Sequence, residues 1–281
     1  MFTLNCKGRL LNFGTPAVMG ILNTTPDSFY EGSRFTGKEG ILGEVEKMIT
    51  EGAAIVDIGG QSTRPGSRPL EVTEELNRVI TAIESIHYNF PELVISIDTY
   101  YAAVADAAVK AGASIVNDIS GGMLDPSMIA TVGALKVPYV CTHMKGIPET
   151  MQHHPGYGNI IKELLDFFIL QCERCKKAGI HDIIIDPGFG FGKTAEHNFE
   201  ILDKLHLFGI LERPVLLGVS RKGTIYRTLE ITAEEALNGT TVLNTIGLMK
   251  GASVLRVHDV KEACEAIKLV EKIKGQNGLP S

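Results

Sequence analysis

The residues able to do chemistry recur at one kind of place in this chain, the polar end of a short apolar run. From the N-terminus these are Asn23, Asp57, Asp98, Asn117-Asp118, His143, Asp186, Ser220-Arg221-Lys222 and Arg256-Val-His258. A buried apolar segment ending in an ionisable group carries that group to the edge of the core, because a charge is costly to bury unpaired. Gathered carboxylates and amides can fix the donors and acceptors of a flat polar ligand. For Asp57 and Asp118 a structural role, bonding neighbouring backbone N–H groups, stands beside the functional one. The cations suggest an anion. Arg64, Arg68, Arg221, Lys222, Arg256 and His258 fall just past such ends and predict a basic mouth on a chain whose formal net charge is −6. A local field of that kind attracts an anion against the overall charge. Segments 220–224 and 256–260 each lead into a helix-like stretch, so their backbone N–H groups suit a phosphate or carboxylate. Two long turn-rich segments, 23–33 and 59–67, have the Gly and Pro content of loops that close over a ligand.

These groups need elements to hold them. Eight almost continuously apolar, β-branched runs are legible at 17–23, 54–59, 94–98, 114–118, 139–143, 183–186, 215–218 and 254–257. That pattern predicts parallel strands covered on both faces. Amphipathic stretches at 40–50, 73–85, 102–111, 159–178 and 234–249 read as helices between them. Eight βα units of about 35 residues predict an α/β fold, a (β/α)8 TIM barrel, with every polar strand end at its C-terminal rim. An internal echo supports the repeat: Gly52-Ala-Ala-Ile-Val-Asp57, Gly112-Ala-Ser-Ile-Val-Asn117 and Gly251-Ala-Ser-Val-Leu-Arg256. In each, a glycine in the left-handed region ends a helix and the following strand ends in a polar residue. Segment 5–13, with Lys7-Gly8 at its centre, reads as a hairpin plugging the barrel's N-terminal end. No Pro/Ser-rich linker interrupts the chain, so residues 1–281 read as one domain.

Composition excludes several classes. Hydrophobic residues make up 44% and charged residues 21% of the 281, a globular balance. No apolar run approaches the roughly 18 residues of a membrane span; the longest, 164–170, contains Asp166. Lys7 and Arg9 stand where a signal peptide would be apolar. The acidic balance argues against nucleic acid as a partner, and five cysteines suggest reduced thiols in the cytoplasm. Cys172-x-x-Cys175 lies within a helical stretch without a second pair, so it reads as structural rather than as a zinc site. His153-His154 reads as a polar loop. Gly190-Phe-Gly-Lys-Thr194 lacks the glycine spacing of a nucleotide-binding loop.

Read together, the motifs resemble a family. Met19-Gly-Ile-Leu-Asn-Thr-Thr-Pro-Asp-Ser-Phe29, Asp57-Ile-Gly-Gly-Gln-Ser-Thr-Arg-Pro-Gly66, Ser96-Ile-Asp-Thr99, Asn117-Asp-Ile-Ser-Gly-Gly122, Asp186-Pro-Gly-Phe-Gly-Phe-Gly-Lys-Thr194, Gly218-Val-Ser-Arg-Lys222 and Arg256-Val-His-Asp-Val260 are similar, in order, to those of bacterial dihydropteroate synthases. The resemblance implies a (β/α)8 barrel, usually a homodimer. It implies condensation of (7,8-dihydropterin-6-yl)methyl diphosphate with 4-aminobenzoate, with Mg2+ present, and competition by sulfonamides. It assigns the pterin to Asp98, Asn117, Asp186, Lys222 and Arg256, and the aminobenzoate to Thr63, Arg64, Pro65, Phe191 and Ser220. Diphosphate falls to Asn23, Thr63, Arg64, Arg256 and His258, and the metal to Asn23. Catalysis falls to Asn23, Arg64, Lys222, Arg256 and His258. The chain departs from the family at Gly223, where a serine is common, at Glu31, where an aspartate is frequent, and at Thr142, where methionine is usual. Two other readings share the pterin grip: a pterin methyltransferase barrel, which would need neither Ser62-Thr-Arg-Pro65 nor Arg256-Val-His258, and a non-catalytic pterin-binding protein.

Overall fold

The computed structural model describes residues 2–24, 38–61, 70–147, 151 and 155–276. Two short antiparallel strands, β1 (Thr3–Cys6) and β2 (Arg9–Asn12), form the expected hairpin around Lys7 and Gly8, which take positive φ angles of 54° and 93°. The parallel strands follow: β3 (Ala17–Asn23), β4 (Ile55–Gly59), β5 (Val94–Asp98), β6 (Ile115–Asp118), β7 (Tyr139–Thr142), β8 (Ile183–Asp186), β9 (Leu216–Leu217) and β10 (Val254–Val257). They hydrogen-bond in the order β8-β7-β6-β5-β4-β3-β10-β9, and a parallel bridge between Ile185 and Val215 joins the two ends. β9 is shorter than the run 215–218 expected, because Val215 contributes only that closing bridge and Gly218 already belongs to the rim.

Helices α1 (Lys38–Glu51), α2 (Val72–Asn89), α3 (Ala102–Ala111), α4 (Met128–Leu135), α5 (Ile160–Lys177), α6 (Ala195–Asp203), α7 (Gly223–Thr228), α8 (Leu237–Met249) and α9 (Val260–Gln276) lie between and after the strands. Side-chain caps start two of them. Asn159 accepts from Lys162 N–H at 3.0 Å, and Thr194 with His197 forms a reciprocal capping box.

The period of two along a strand sorts side chains into an inner and an outer set. Val18, Val56, Ile58, Ile95, Ile97, Val116, Cys141, Ile183, Ile185, Leu217, Leu255 and Val257 face the helices in one large core. Their neighbours Ala17, Met19, Ile55, Val94, Ile115, Val140, Ile184, Leu216 and Val254 face inward, in one cluster with Leu4, Cys6 and Phe13 of the hairpin region. Most of these inner residues open their strands, so the hairpin packs on the N-terminal end of the barrel. Two residues further along, the inward positions turn polar: Asp57, Ser96, Asn117, Thr142, Asp186 and Arg256. Hydrophobic burial, worth about 1.5–3 kcal/mol for a large aliphatic side chain, is concentrated below and outside this layer. The echo is also visible in the backbone, where Gly52, Gly112 and Gly251 adopt φ of 107°, 132° and 100° as they turn α1, α3 and α8 into β4, β6 and β10.

Candidate active site

The polar ends of the three echoing segments meet. Asn117 Nδ2 donates to Asp57 Oδ2 at 2.9 Å, and Arg256 Nε donates to the same oxygen at 2.6 Å. Arg256 then reaches Asp98 Oδ2 with a terminal nitrogen, also at 2.6 Å. One guanidinium therefore spans two buried acids from separate strands through short, charge-assisted hydrogen bonds, which are stronger than neutral ones. Asp57 uses side-chain partners rather than the backbone contacts considered for it. Asp118 does the opposite: it accepts from the backbone of Ser120 and Gly122 and from the hydroxyls of Ser120 and Tyr139, and so braces the strand end from outside the mouth.

The remaining members close around the same point. A Cβ built on Gly218 would lie 3.8 Å from Lys222 Nζ, 3.9 Å from Arg256 Cβ and 4.0 Å from Asp186 Oδ2. A Cβ on Gly59 would lie 3.6 Å from Asp98 Oδ2 and 3.8 Å from Asn23 Oδ1. Any side chain at either glycine would project among these groups. Asp186 accepts from Gly188 N–H at 2.7 Å, Lys222 Nζ donates to the Phe189 carbonyl, and the same ammonium sits 4.5 Å from the centre of the Phe191 ring. The structure thus brings Asn23, Asp98, Asn117, Asp186, Lys222, Arg256 and Phe191 to one end of the barrel.

Burial sets the charges. It lifts the Asp98 carboxyl from 3.8 to about 7, against the pull of Arg256 and with the repulsion of Asp57 and Asp118 added. Burial also raises Asp186, opposed by Lys222 and by the Gly188 N–H. It brings the Lys222 ammonium down from 10.5 to about 8, with Asp186 resisting and Arg256 assisting. Arg256 is different: burial disfavours its charge, but Asp57 and Asp98 outweigh that and hold the proton more firmly than usual.

Ser220 and His258 form a pair. The Ser220 hydroxyl accepts from His258 N–H at 3.2 Å and lies 2.9 Å from His258 Nδ1. With the Ser220 proton given to Nδ1, the ring carries its own proton on Nε2 as a donor. Arg221, expected in the basic mouth, is committed elsewhere. Its guanidinium binds Asp259 at 2.9 and 2.8 Å and the carbonyls of Ala233 and Glu234. Where Gly223 departs from the family, a Cβ would meet the Tyr226 hydroxyl at 3.3 Å and Arg227 Nε at 3.6 Å, so those polar atoms border that position. Thr63, Arg64 and Pro65, with Phe29, Glu31, Arg68 and the His153-His154 pair, lie outside the described residues. Cys172 and Cys175 are unpaired on α5, with Cys175 buried in the helix–sheet core.

Lys193 is a residue that pattern reading passed over. In the sequence it looked like a fragment of a phosphate loop; in the structure its amine is buried between His143 and Phe191. A lysine between two glycine-rich turns and a helix-capping threonine was the available signal. Thr142, on β7, carries a buried hydroxyl oxygen with no hydrogen bond among the described residues.

Among the described residues no group of three or more His, Cys, Asp or Glu side chains could hold a metal, and no helix is long and apolar enough to cross a membrane. Residues 19–258 match the family described as "Pterin binding enzyme". The dihydropteroate synthase of Escherichia coli (strain K12) is 41% identical over 270 residues, covering 95% of each chain. That of Bacillus subtilis (strain 168) is 41% identical over 264 residues, covering 93% of this chain and 90% of its own. Among solved structures, Yersinia pestis dihydropteroate synthase in complex with a sulfonamide drug superposes with a TM-score of 0.92 at 37% identity, over 98% of this chain and 100% of the other. The Xanthomonas albilineans enzyme with 4-aminobenzoic acid gives 0.89 at 37% identity, over 97% and 98%. A barrel rim that gathers acids, an amide, a lysine and a spanning arginine, on a chain alike over nearly its whole length to these enzymes, belongs to the dihydropteroate synthase family of pterin-binding enzymes.

Proposed function

We propose that the barrel mouth condenses (7,8-dihydropterin-6-yl)methyl diphosphate with 4-aminobenzoate, giving 7,8-dihydropteroate and diphosphate. One observation carries this reading. Arg256 spans Asp57 and Asp98, while the second carboxylate oxygen of each acid is buried without a hydrogen bond among the described residues. An unmet buried acceptor costs about 1–3 kcal/mol, and a ligand rich in N–H groups, such as a pterin, removes that cost on binding.

Asp98 and Asp186 accept from the pterin's amino and ring N–H groups, and Asn117 can both donate and accept. Lys222 donates to the oxo group and a ring nitrogen, and the planar Arg256 cation suits the ring face. Bond cleavage is then chiefly electrostatic. Negative charge grows on the departing diphosphate, where Arg64, Thr63, Arg256 and the Nε2–H of His258 hold it, while positive charge grows on the pterin methylene. The aminobenzoate ring lies against Phe191 and Pro65, with Thr63, Arg64 and Ser220 at its polar groups. Its nitrogen loses a proton readily after bonding to a cationic carbon, so placement rather than a strong base does the work.

The residues present fit Mg2+ in a limited way. Asn23 Oδ1 is a hard donor beside Asp98, and it would hold an ion whose other ligands are water and substrate phosphate oxygens. Bound there, Mg2+ would neutralise part of the diphosphate charge. Exposed Val242, Ile246 and Met249 on α8, and Leu269 and Ile273 on α9, support a homodimer formed through these helices. Five unpaired cysteines support residence in the cytoplasm, and the unbroken run of βα units supports one domain.

The test mixes purified protein, pterin diphosphate, 4-aminobenzoate and Mg2+ and follows diphosphate and dihydropteroate together. The expected result is equal formation of both, with a sulfonamide competing against aminobenzoate. Tight pterin binding without turnover would replace the synthase reading with a non-catalytic pterin-binding one. Diphosphate release without any amine supports cleavage before bond formation; a strict need for both substrates before cleavage refutes that order.

A further inference from the structure

The geometry points to Lys193 as a positioning residue that sets the Phe191 wall of the acceptor slot. This rests on the reading of Phe191 as part of the aminobenzoate site. Lys193 is only 2% exposed, and among the described residues it forms no ion pair. Its amine instead has three neighbours: the Phe191 carbonyl at 3.0 Å, the His143 carbonyl at 3.1 Å and His143 Nδ1 at 3.0 Å. Three contacts match the capacity of the group in either state. An ammonium donates to all three, and a neutral amine donates to the two carbonyls and accepts from Nδ1–H. Burial pushes the Lys193 amine well below its ordinary range, with Asp186 resisting and Lys222 and Lys145 adding repulsion, and burial likewise lowers His143 to about 3.

The two carbonyls belong to different elements. His143 directly follows β7, whereas Phe191 lies in the turn segment that follows β8, so the amine pins that segment to the neighbouring strand. The pin is tightly housed. A Cβ on Gly188, whose φ is 70°, would come within 1.9 Å of the His143 carbonyl oxygen and 3.1 Å of Lys193 Nζ. Tyr157 holds the same segment as well, its hydroxyl donating to the Gly192 carbonyl at 2.9 Å. Above the pin, Phe191 faces the Lys222 ammonium, and Lys222 donates to the Phe189 carbonyl. Removing the Lys193 donors frees the carbonyl of the residue whose ring walls the slot, while Asp98, Asn117 and Arg256, on β5, β6 and β10, keep their own bonds to one another and to Asp57.

The consequence is a split between the two substrates. Lys193→Met keeps an unbranched side chain, one bond shorter than lysine's, and removes its donors. It is expected to raise KM for 4-aminobenzoate about tenfold, while KM for the pterin diphosphate stays within about twofold and kcat within about threefold. Lys193→Gln supplies two N–H donors on a chain one bond shorter and should recover part of the loss; it carries the comparison alone if the Met variant does not fold. Equal rises in both KM values, or an unchanged aminobenzoate KM in a folded variant, would overturn the assignment. Failure of the wild-type protein to consume aminobenzoate would instead remove the functional reading beneath it.

Discussion

Replacing Arg256 by Met tests the electrostatic core of the site. The substitution removes a guanidinium that reaches Asp57 and Asp98 at 2.6 Å each and leaves a shorter, unbranched side chain without charge. Leaving a buried charge without its partner costs about 3–5 kcal/mol, unless the protein escapes by protonating an acid. Asp98 is the escape route, because burial already holds it at about 7 and the loss of Arg256 raises it further. The sign follows from linkage. A carboxyl whose folded pKa lies above its unfolded value contributes stability at low pH and loses it as pH rises through the folded pKa. Wild type therefore loses this contribution up to about pH 7, whereas the variant goes on losing it above pH 7. Each further unit of rise adds about 1.4 kcal/mol to the gap. Urea unfolding at pH 6 should show a deficit of about 1.5–3 kcal/mol, the worth of lost hydrogen bonds to charged groups. At pH 9 the deficit should reach about 3–5 kcal/mol, and adding Asp98→Asn should narrow it. A deficit below about 1 kcal/mol at both pH values, or one that shrinks as pH rises, would refute the reasoning.

Two other outcomes follow from the same geometry. Lys222, lowered to about 8, loses its proton as pH rises through that value, so pterin affinity should fall above pH 8 in a titration followed by calorimetry, and Lys222→Ala should remove that fall. Gly133→Ala would put a Cβ 2.0 Å from the Ala178 carbonyl oxygen between α4 and the end of α5; it should cost about 1–3 kcal/mol of stability in thermal unfolding while leaving both KM values of the surviving folded protein unchanged.

The barrel was legible because its cause is local and repeated. Apolar β-branched runs of the right length, several of them preceded by a turn glycine, specify inward and outward faces without knowledge of the partner strand. The polar rim was legible for the same reason, since Asp98, Asn117, Asp186 and Arg256 are each the end of such a run. What sequence spacing does not encode is which rim residue satisfies which. Arg221 and Lys222 are adjacent in the chain, yet a positive φ of 52° at Arg221 accompanies the turn that gives one to Asp259 and the other to the site. Asp57 and Asp118 carried the same ambiguity and resolved in opposite directions, because one points into the barrel and the other outward toward Tyr139. Lys193 was hidden because a buried lysine bonded to carbonyls leaves no charge partner in the pattern.

The shared oxygen of Asp57 also bears on biosynthesis. It collects a donor 60 residues downstream and another 199 residues downstream. A ribosome therefore exposes the acids and the amide well before the guanidinium that reconciles them. A polypeptide interrupted ahead of β10 would carry unreconciled acids at its centre and lack the strand that joins β3 to β9. Translation of the last strand thus balances the charge of the mouth and completes the barrel in one event.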